Sequence, residues 1–139
     1  MTIVGFNFTK LEAEKKEGVK GKINISNNVS INKVGEKSLS ITDEKQKVLA
    51  FTFEFTSKYD PDLGSIKITG DVLNMDSPAK AKEILDGWKK DKRLPKEIMT
   101  DVLNTILNKC NIQALILSEQ VNLPPPIPLP KVQVGQKQG

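Results

Sequence analysis

The spacing of apolar residues changes from two to about 3.6 near residue 77, and this change predicts a sheet followed by helices. Before that point, apolar and polar residues alternate, which places apolar side chains on one face of each strand. The inward residues of four predicted strands are Val4, Phe6 and Phe8; Ile23, Ile25, Val29 and Ile31; Leu49, Phe51, Phe53 and Phe55; and Ile66, Ile68 and Val72. We therefore predict a four-stranded antiparallel sheet with short connections and one polar face.

Two local features refine this sheet. In the first strand, Leu11 and Ala13 follow Phe8 on the opposite parity, which predicts a β-bulge after Phe8. Residues 59–64 carry turn chemistry between the third and fourth strands, since proline presets φ and Gly64 can adopt a positive φ.

Two helices are predicted after the sheet. Ser77 and Pro78 are typical of an N-cap and a first helical position. The apolar stripe of the first helix consists of Ala81, Ile84, Leu85 and Trp88. The second helix begins at Leu94-Pro95 and, if it runs to about Glu119, is roughly 37 Å long. One four-stranded sheet can cover only one side of so apolar a helix. The other side must be covered by the end of the chain or by a second subunit. We therefore predict a homo-oligomer.

The chain then enters a proline-rich stretch, residues 121–130, called the proline segment below. It holds five of the eight prolines, which predicts an extended backbone without a hydrogen-bond ladder. Its remaining residues are too apolar to stay in water, so we expect the segment to dock on a surface. The candidate peptide- or partner-binding residues are Val121, Leu123, Pro125, Ile127 and Leu129.

Three docking sites for the proline segment remain open: this chain's own fold, a second copy, or a foreign partner with an aromatic groove. The first two are favoured, because the segment follows the helix after only a few residues. Lys131 is also the sole charge near it, whereas free proline-rich ligands usually carry charged flanks.

Composition disfavours several classes of function. The chain of 139 residues has no histidine and one cysteine, so the commonest general base and any zinc set are missing. We expect Cys110 to be a small buried hydrophobe, and a single cysteine favours a reducing compartment. No stretch approaches the ~18 apolar residues of a membrane span, and no signal sequence is recognised at the N-terminus. These observations predict a cytoplasmic protein without membrane insertion.

Catalytic motifs are equally scarce. The glycines are scattered singly, without the glycine-rich phosphate loop or a nucleophile elbow. Asp60 and Asp62 flank a proline in a predicted turn, which explains them better than cation binding does. We therefore predict a protein that is not an enzyme and that carries no cofactor and no metal.

One basic region provides an alternative function. Between Lys80 and Lys96 the chain carries seven basic residues against three acids, with Trp88 in the middle. Clustered cations attract phosphates, and bases stack on indole rings, so this region is a candidate nucleic-acid surface. Its central members are Lys89, Lys90, Lys92 and Arg93. Trp88 shares the apolar stripe of its helix, however, and a solvated charged face is the simpler interpretation.

The order of parts, four antiparallel strands, a long helix and then Val121-Asn122-Leu123-Pro124-Pro125-Pro126-Ile127, resembles the bacterial export chaperone SecB and smaller SecB-like proteins. The resemblance runs from about Phe6 to Leu129. The closing Leu-Pro-Pro-Pro-Ile-Pro-Leu-Pro stretch is also similar to that of small uncharacterised archaeal proteins, which suggests an archaeal source.

The SecB-like resemblance implies a chaperone that assembles as a dimer of dimers. Such a chaperone holds unfolded chains in hydrophobic grooves where sheet edges, helix and crossover loop meet. This chain departs from SecB in its net charge of +4, its extra helix between Asp76 and Lys92, and its few aromatic residues.

We accordingly predict one SecB-like α+β domain over residues 1–130 and a flexible tail over residues 131–139. In this fold a short and a long C-terminal helix pack on the sheet, and the proline segment docks on the body. The predicted function is chaperone-like binding of unfolded polypeptides or protein partners. The alternative is an RNA- or ribosome-associated protein that uses the basic Lys80 to Lys96 surface.

Overall fold

A computed structural model describes residues 2–17, 21–37 and 46–130. Its elements are β1 (Thr2–Lys15), β2 (Asn24–Lys37), β3 (Lys47–Asp60), β4 (Gly64–Asp76), α1 (Pro78–Asp91) and α2 (Lys96–Gln120). The four antiparallel strands and two helices confirm the predicted α+β fold. The predicted tail, residues 131–139, lies outside the described residues.

The strands are ordered β1-β4-β3-β2, and all three neighbouring pairs are antiparallel. β3 and β4 form a hairpin at the centre, while β1 and β2 form the two opposite edges. Consecutive strands are therefore neighbours in β2–β3 and β3–β4, whereas between β1 and β2 the chain passes from one edge to the other. A single sequence gives no signal for this order, because β1 pairs with β4, which lies far along the chain.

One face of the sheet, called the inner face, is covered by the helices. The side chains of Phe51, Phe53 and Phe55 on β3 are at most 1% exposed and form its centre. α2 packs on β4 and β3, and α1 packs on β2 and β3. The outer face is polar, as predicted, with partners such as Thr52 and Asp71 hydrogen-bonded at 2.6 Å.

Bulges keep the apolar residues of both edge strands on the inner face. The register of β1 shifts between Phe8 and Lys10, so Phe8 lies opposite Gly70 and Leu11 opposite Ile68, which confirms the bulge after Phe8. Two further bulges were not predicted. One lies between Ile3 and Gly5, where Val4, predicted to point inward, has no register partner and is exposed.

The other unpredicted bulge lies in β2 between Ile31 and Lys33. It brings Val34 opposite Phe51, where Val34 is buried. β2 is therefore longer than its predicted core, which ended at Ile31.

Two positions require glycine because a Cβ would not fit there, and not because of a turn conformation. A Cβ on Gly70 would collide with the carbonyl oxygen of Asn7 and approach the Phe53 ring to 2.8 Å. Gly64 was expected to adopt a positive φ in the turn. Instead it is the first residue of β4, where a Cβ would collide with the carbonyl oxygen of Glu14.

Both helices start and end close to the predicted residues. Ser77 caps α1, since its hydroxyl accepts a hydrogen bond from the Lys80 amide at 3.3 Å. Residues four apart on α2 form its buried stripe, namely Ile98, Val102, Ile106, Cys110, Ala114 and Ser118. Cys110 is fully buried, as expected, and burial raises the pKa of its thiol to about 12. No helix of the described residues is long and apolar enough to cross a membrane.

Candidate functional site

The proline segment owes its path to the way α2 ends. Asn122 adopts the left-handed conformation with φ 58°, which asparagine tolerates better than most residues. Its amide donates to the Glu119 carbonyl at 3.3 Å, and the Leu123 amide donates to the Ser118 carbonyl at 2.8 Å. This pair of bonds is a Schellman cap. The Val-Asn-Leu-Pro sequence is therefore a helix stop that turns the chain back towards the sheet.

Leu123 anchors the segment. Its side chain is only 5% exposed and belongs to the main hydrophobic core. Pro126 is also buried, whereas Pro125 and Pro128 are exposed. The segment is thus docked on its own fold, as favoured above, with its deepest contact at its beginning.

A polar clasp on the inner face, formed by Asn27, Ser57 and Tyr59, holds the segment. The Tyr59 hydroxyl donates to the Pro124 carbonyl at 2.5 Å, and the Asn27 amide donates to the Pro126 carbonyl at 2.9 Å. Ser57 donates to the side-chain oxygen of Asn27 at 2.6 Å and so orients its amide towards Pro126. Both acceptors on the segment are main-chain carbonyls. The clasp therefore recognises the path of the chain and not its side chains.

Burial extends the pH range over which the tyrosine is a donor. It raises the pKa of Tyr59 from 10.0 to about 12, so the hydroxyl stays protonated above pH 10 as well as at neutral pH. Since Asn27 lies opposite Ser57 in the β2–β3 register, the three clasp residues lie at one end of these two strands.

Two open clefts flank the proline segment. The first, about 620 Å³, lies between the segment and the C-terminal end of α2. Its walls include Leu115 on the helix, Leu123, Pro125 and Leu129. The second, about 650 Å³, lies between the segment and β2 and includes Ile25 and Ile127 in its walls. Both clefts are lined mainly by aliphatic and proline side chains, which suits apolar chains better than charged ligands.

The structure places most of the predicted binding residues in these clefts. Pro125 and Leu129 line both of them, and Leu129 is 46% exposed. Ile127 is half-buried in the second cleft, and Leu123 forms the buried base of the first. Val121 is half-buried at the end of α2 and lines neither cleft.

Several residues of the site were missed by the sequence reasoning. Ile25 and Leu115 were assigned only to the apolar faces of a strand and a helix, because the path of the proline segment was unknown. Asn27 did leave a signal, since it occupies an inward position between Ile25 and Val29 in an otherwise apolar alternation. A polar residue at such a position can hydrogen-bond a chain that packs on this face, and here its amide donates to the Pro126 carbonyl.

The basic surface is partly neutralised by its own neighbours. Lys92 lies over the Trp88 ring, with its ammonium 5.4 Å from the ring centroid, so it occupies a ring face that a base would need. Trp88 is half-buried against the core, and Arg93 lies 3.9 Å from Asp91. Lys89 and Lys90 are exposed in the last turn of α1, where cations offset the negative end of the helix dipole.

A separate apolar surface lies on α2. Ile112 is 61% exposed and Ile116 is 45% exposed, one turn apart on the side of the helix away from the buried stripe. A partner surface on this side of α2 would remove both side chains from water.

Comparison with known proteins supports the fold. No protein family and no curated protein matches the sequence. Among solved structures, the chain is similar to the SecB-like chaperone Rv1957 of Mycobacterium tuberculosis, determined with a ChAD peptide from the antitoxin HigA1. The TM-score is 0.53 and the identity 11%, over 97% of this chain and 92% of the other. At that identity the match shows a shared SecB-like fold, which confirms the predicted architecture.

Proposed function

We propose that this protein is a non-enzymatic, chaperone-like binder of unfolded polypeptides. The two apolar clefts beside the proline segment carry the proposal, because they offer open aliphatic surface along an extended path. A protein of the same fold was determined with a bound peptide, which supports this choice of ligand. We further propose a cytoplasmic location in an archaeal source, on the cysteine content and the closing proline stretch described above.

Binding in these clefts is expected to be passive and weakly selective. Aliphatic walls reward burial of apolar area at about 25 cal/mol per Å² without fixing a register. The protein therefore needs no nucleotide, and we expect it to slow aggregation of an unfolded client in the absence of ATP.

The proposal includes assembly into a homo-oligomer, a dimer or a dimer of dimers. The exposed pair Ile112 and Ile116 supports it, since an interface on this side of α2 would cover them. The second cleft has no residue of α2 in its walls, so it stays open if this interface forms along the outer side of α2.

The test places a charge in each cleft on the wall that does not belong to the proline segment. Ile25→Glu on β2 and Leu115→Glu on α2 should each weaken the protection of a thermally unfolding client at least severalfold, as measured by light scattering. Leu11→Glu is the matched control, because Leu11 lies on the opposite edge strand with comparable exposure, 42% against 36% for Ile25. Equal protection by all four proteins would show that the clefts do not bind the client.

A further inference from the structure

The clasp recognises a feature that any extended polypeptide possesses. Tyr59 and Asn27 donate to the carbonyls of Pro124 and Pro126, which are two residues apart. In an extended chain, carbonyls at this spacing project to the same side about 6.6 Å apart. The two hydrogen bonds of the clasp therefore recognise main-chain carbonyls, and they set no requirement on the side chains of the occupant.

The present occupant is held unevenly. The segment begins at the buried Leu123, but beyond Pro126 only Ile127 is even half-buried, and residues 128–130 are exposed. Its prolines have no N–H groups, so the segment cannot form a strand ladder with the sheet. Open clefts lie on both of its sides. Lifting the part from Pro124 to Pro130 away therefore exposes little apolar surface beyond Pro126 and Ile127, while the buried Leu123 keeps the start of the segment in place.

We propose that residues 124–130 occupy this carbonyl-binding site in place of a client, and that an extended client segment displaces them and takes the same two hydrogen bonds. The inference rests on the proposed function and adds its regulation. Displacement joins the two clefts into one continuous groove floored by the inner face between β2 and α2. The proline segment then acts as an internal competitor that keeps apolar surface covered until a client arrives.

Internal competition has a definite sign. When a site is open in only a fraction of the molecules, its apparent dissociation constant is the intrinsic constant divided by that fraction. The more often the site is closed, the weaker the observed binding. A substitution that loosens the proline segment without altering the clasp must therefore tighten client binding. If the segment were a fixed wall of the groove, the same substitution would remove apolar contact area and weaken binding.

Ile127→Ser makes this distinction in the full-length protein. The client is a fluorescent, reduced and carboxymethylated α-lactalbumin, which stays unfolded, and its dissociation constant is measured by anisotropy. We expect binding to become roughly three- to tenfold tighter, the scale set by half-burial of one aliphatic side chain. Leu129→Ser should act in the same direction with a smaller effect, since Leu129 is already 46% exposed.

Leu11→Ser is the control on the opposite edge of the sheet, and it should leave the dissociation constant unchanged. Thermal melts of all variants establish that they are folded. Unchanged or weaker binding by folded Ile127→Ser and Leu129→Ser would overturn the displacement proposal while leaving the proposed function in place.

A second substitution tests whether the client uses the clasp. In the Ile127→Ser background, Tyr59→Phe should weaken client binding about two- to tenfold, which corresponds to the loss of one hydrogen bond. Unchanged or tighter binding would show that Tyr59 serves the proline segment and not the client, and would overturn the shared site. If the wild-type protein binds no unfolded client at all, the proposed function fails and this inference fails with it.

Discussion

Truncation of Leu123 to alanine measures how much the proline segment contributes to the stability of the fold. The change removes three carbons from a side chain that is 5% exposed, and each buried carbon is worth about 0.8 kcal/mol. The transfer contribution is then about 2.4 kcal/mol, and a residual cavity adds to it. We expect the free energy of unfolding to fall by about 2–4 kcal/mol, a large share of the ~5–15 kcal/mol of a typical domain.

Leu129→Ala is the matched control, because it removes the same three carbons from the same segment at 46% exposure. Its cost should be about 1 kcal/mol, since no closed cavity can form at the surface. Both free-energy changes are measured by urea unfolding, and the m-values of the variants should equal that of the wild type. A loss below about 0.5 kcal/mol for Leu123→Ala would contradict the docking of the segment described here.

Further predictions concern the clasp, the sheet, the buried thiol and the assembly. Tyr59→Phe should lower the free energy of unfolding by about 0.5–1.5 kcal/mol in a denaturant titration, because one hydrogen bond to the Pro124 carbonyl is lost; an unchanged midpoint would refute that bond. Gly70→Ala should lower the melting temperature strongly, because its Cβ has no room beside Phe53, and a wild-type melting curve would contradict the register of β1 against β4. Cys110 should resist maleimide at pH 8 until the protein unfolds. Because its folded pKa is raised from 9.0 to about 12, its contribution to stability is full below pH 9 and is lost as the pH rises towards 12, so Cys110→Ala should show a flatter decline over that range. The wild type should sediment as a dimer or larger species at micromolar concentration, and Ile112→Asp should shift it towards monomer; a wild-type monomer would refute the oligomer.

The elements of this fold are readable from the sequence because each rests on local chemistry. Alternation specifies the strands, the Ser77-Pro78 pair specifies the start of α1, and a parity change after Phe8 specifies a bulge. The order of the strands is not local. It depends on the pairing of β1 with β4, whose residues are distant in sequence and whose inward side chains would fit several neighbours.

The candidate site could be predicted only in part from the sequence. The apolar proline segment predicted a docking surface, and the structure places that surface on the chain's own sheet. Its partners could not be read in advance, because the backbone of Asn122 sets the direction in which the segment leaves α2. Asn27 is an example: its polar side chain at an inward position is visible in the sequence, but the Pro126 carbonyl that it binds is not.

The binding of a permanently unfolded client, followed by calorimetry at several temperatures and salt concentrations, tests the central claim most directly. Burial of apolar segments in the clefts predicts binding without nucleotide, a negative heat-capacity change and little dependence on salt. Charge reversal at Lys89 and Lys90 should leave the affinity nearly unchanged. The account is contradicted if the client does not bind. It is equally contradicted if binding falls steeply with salt, requires those lysines and is competed by RNA, because that pattern belongs to the nucleic-acid alternative.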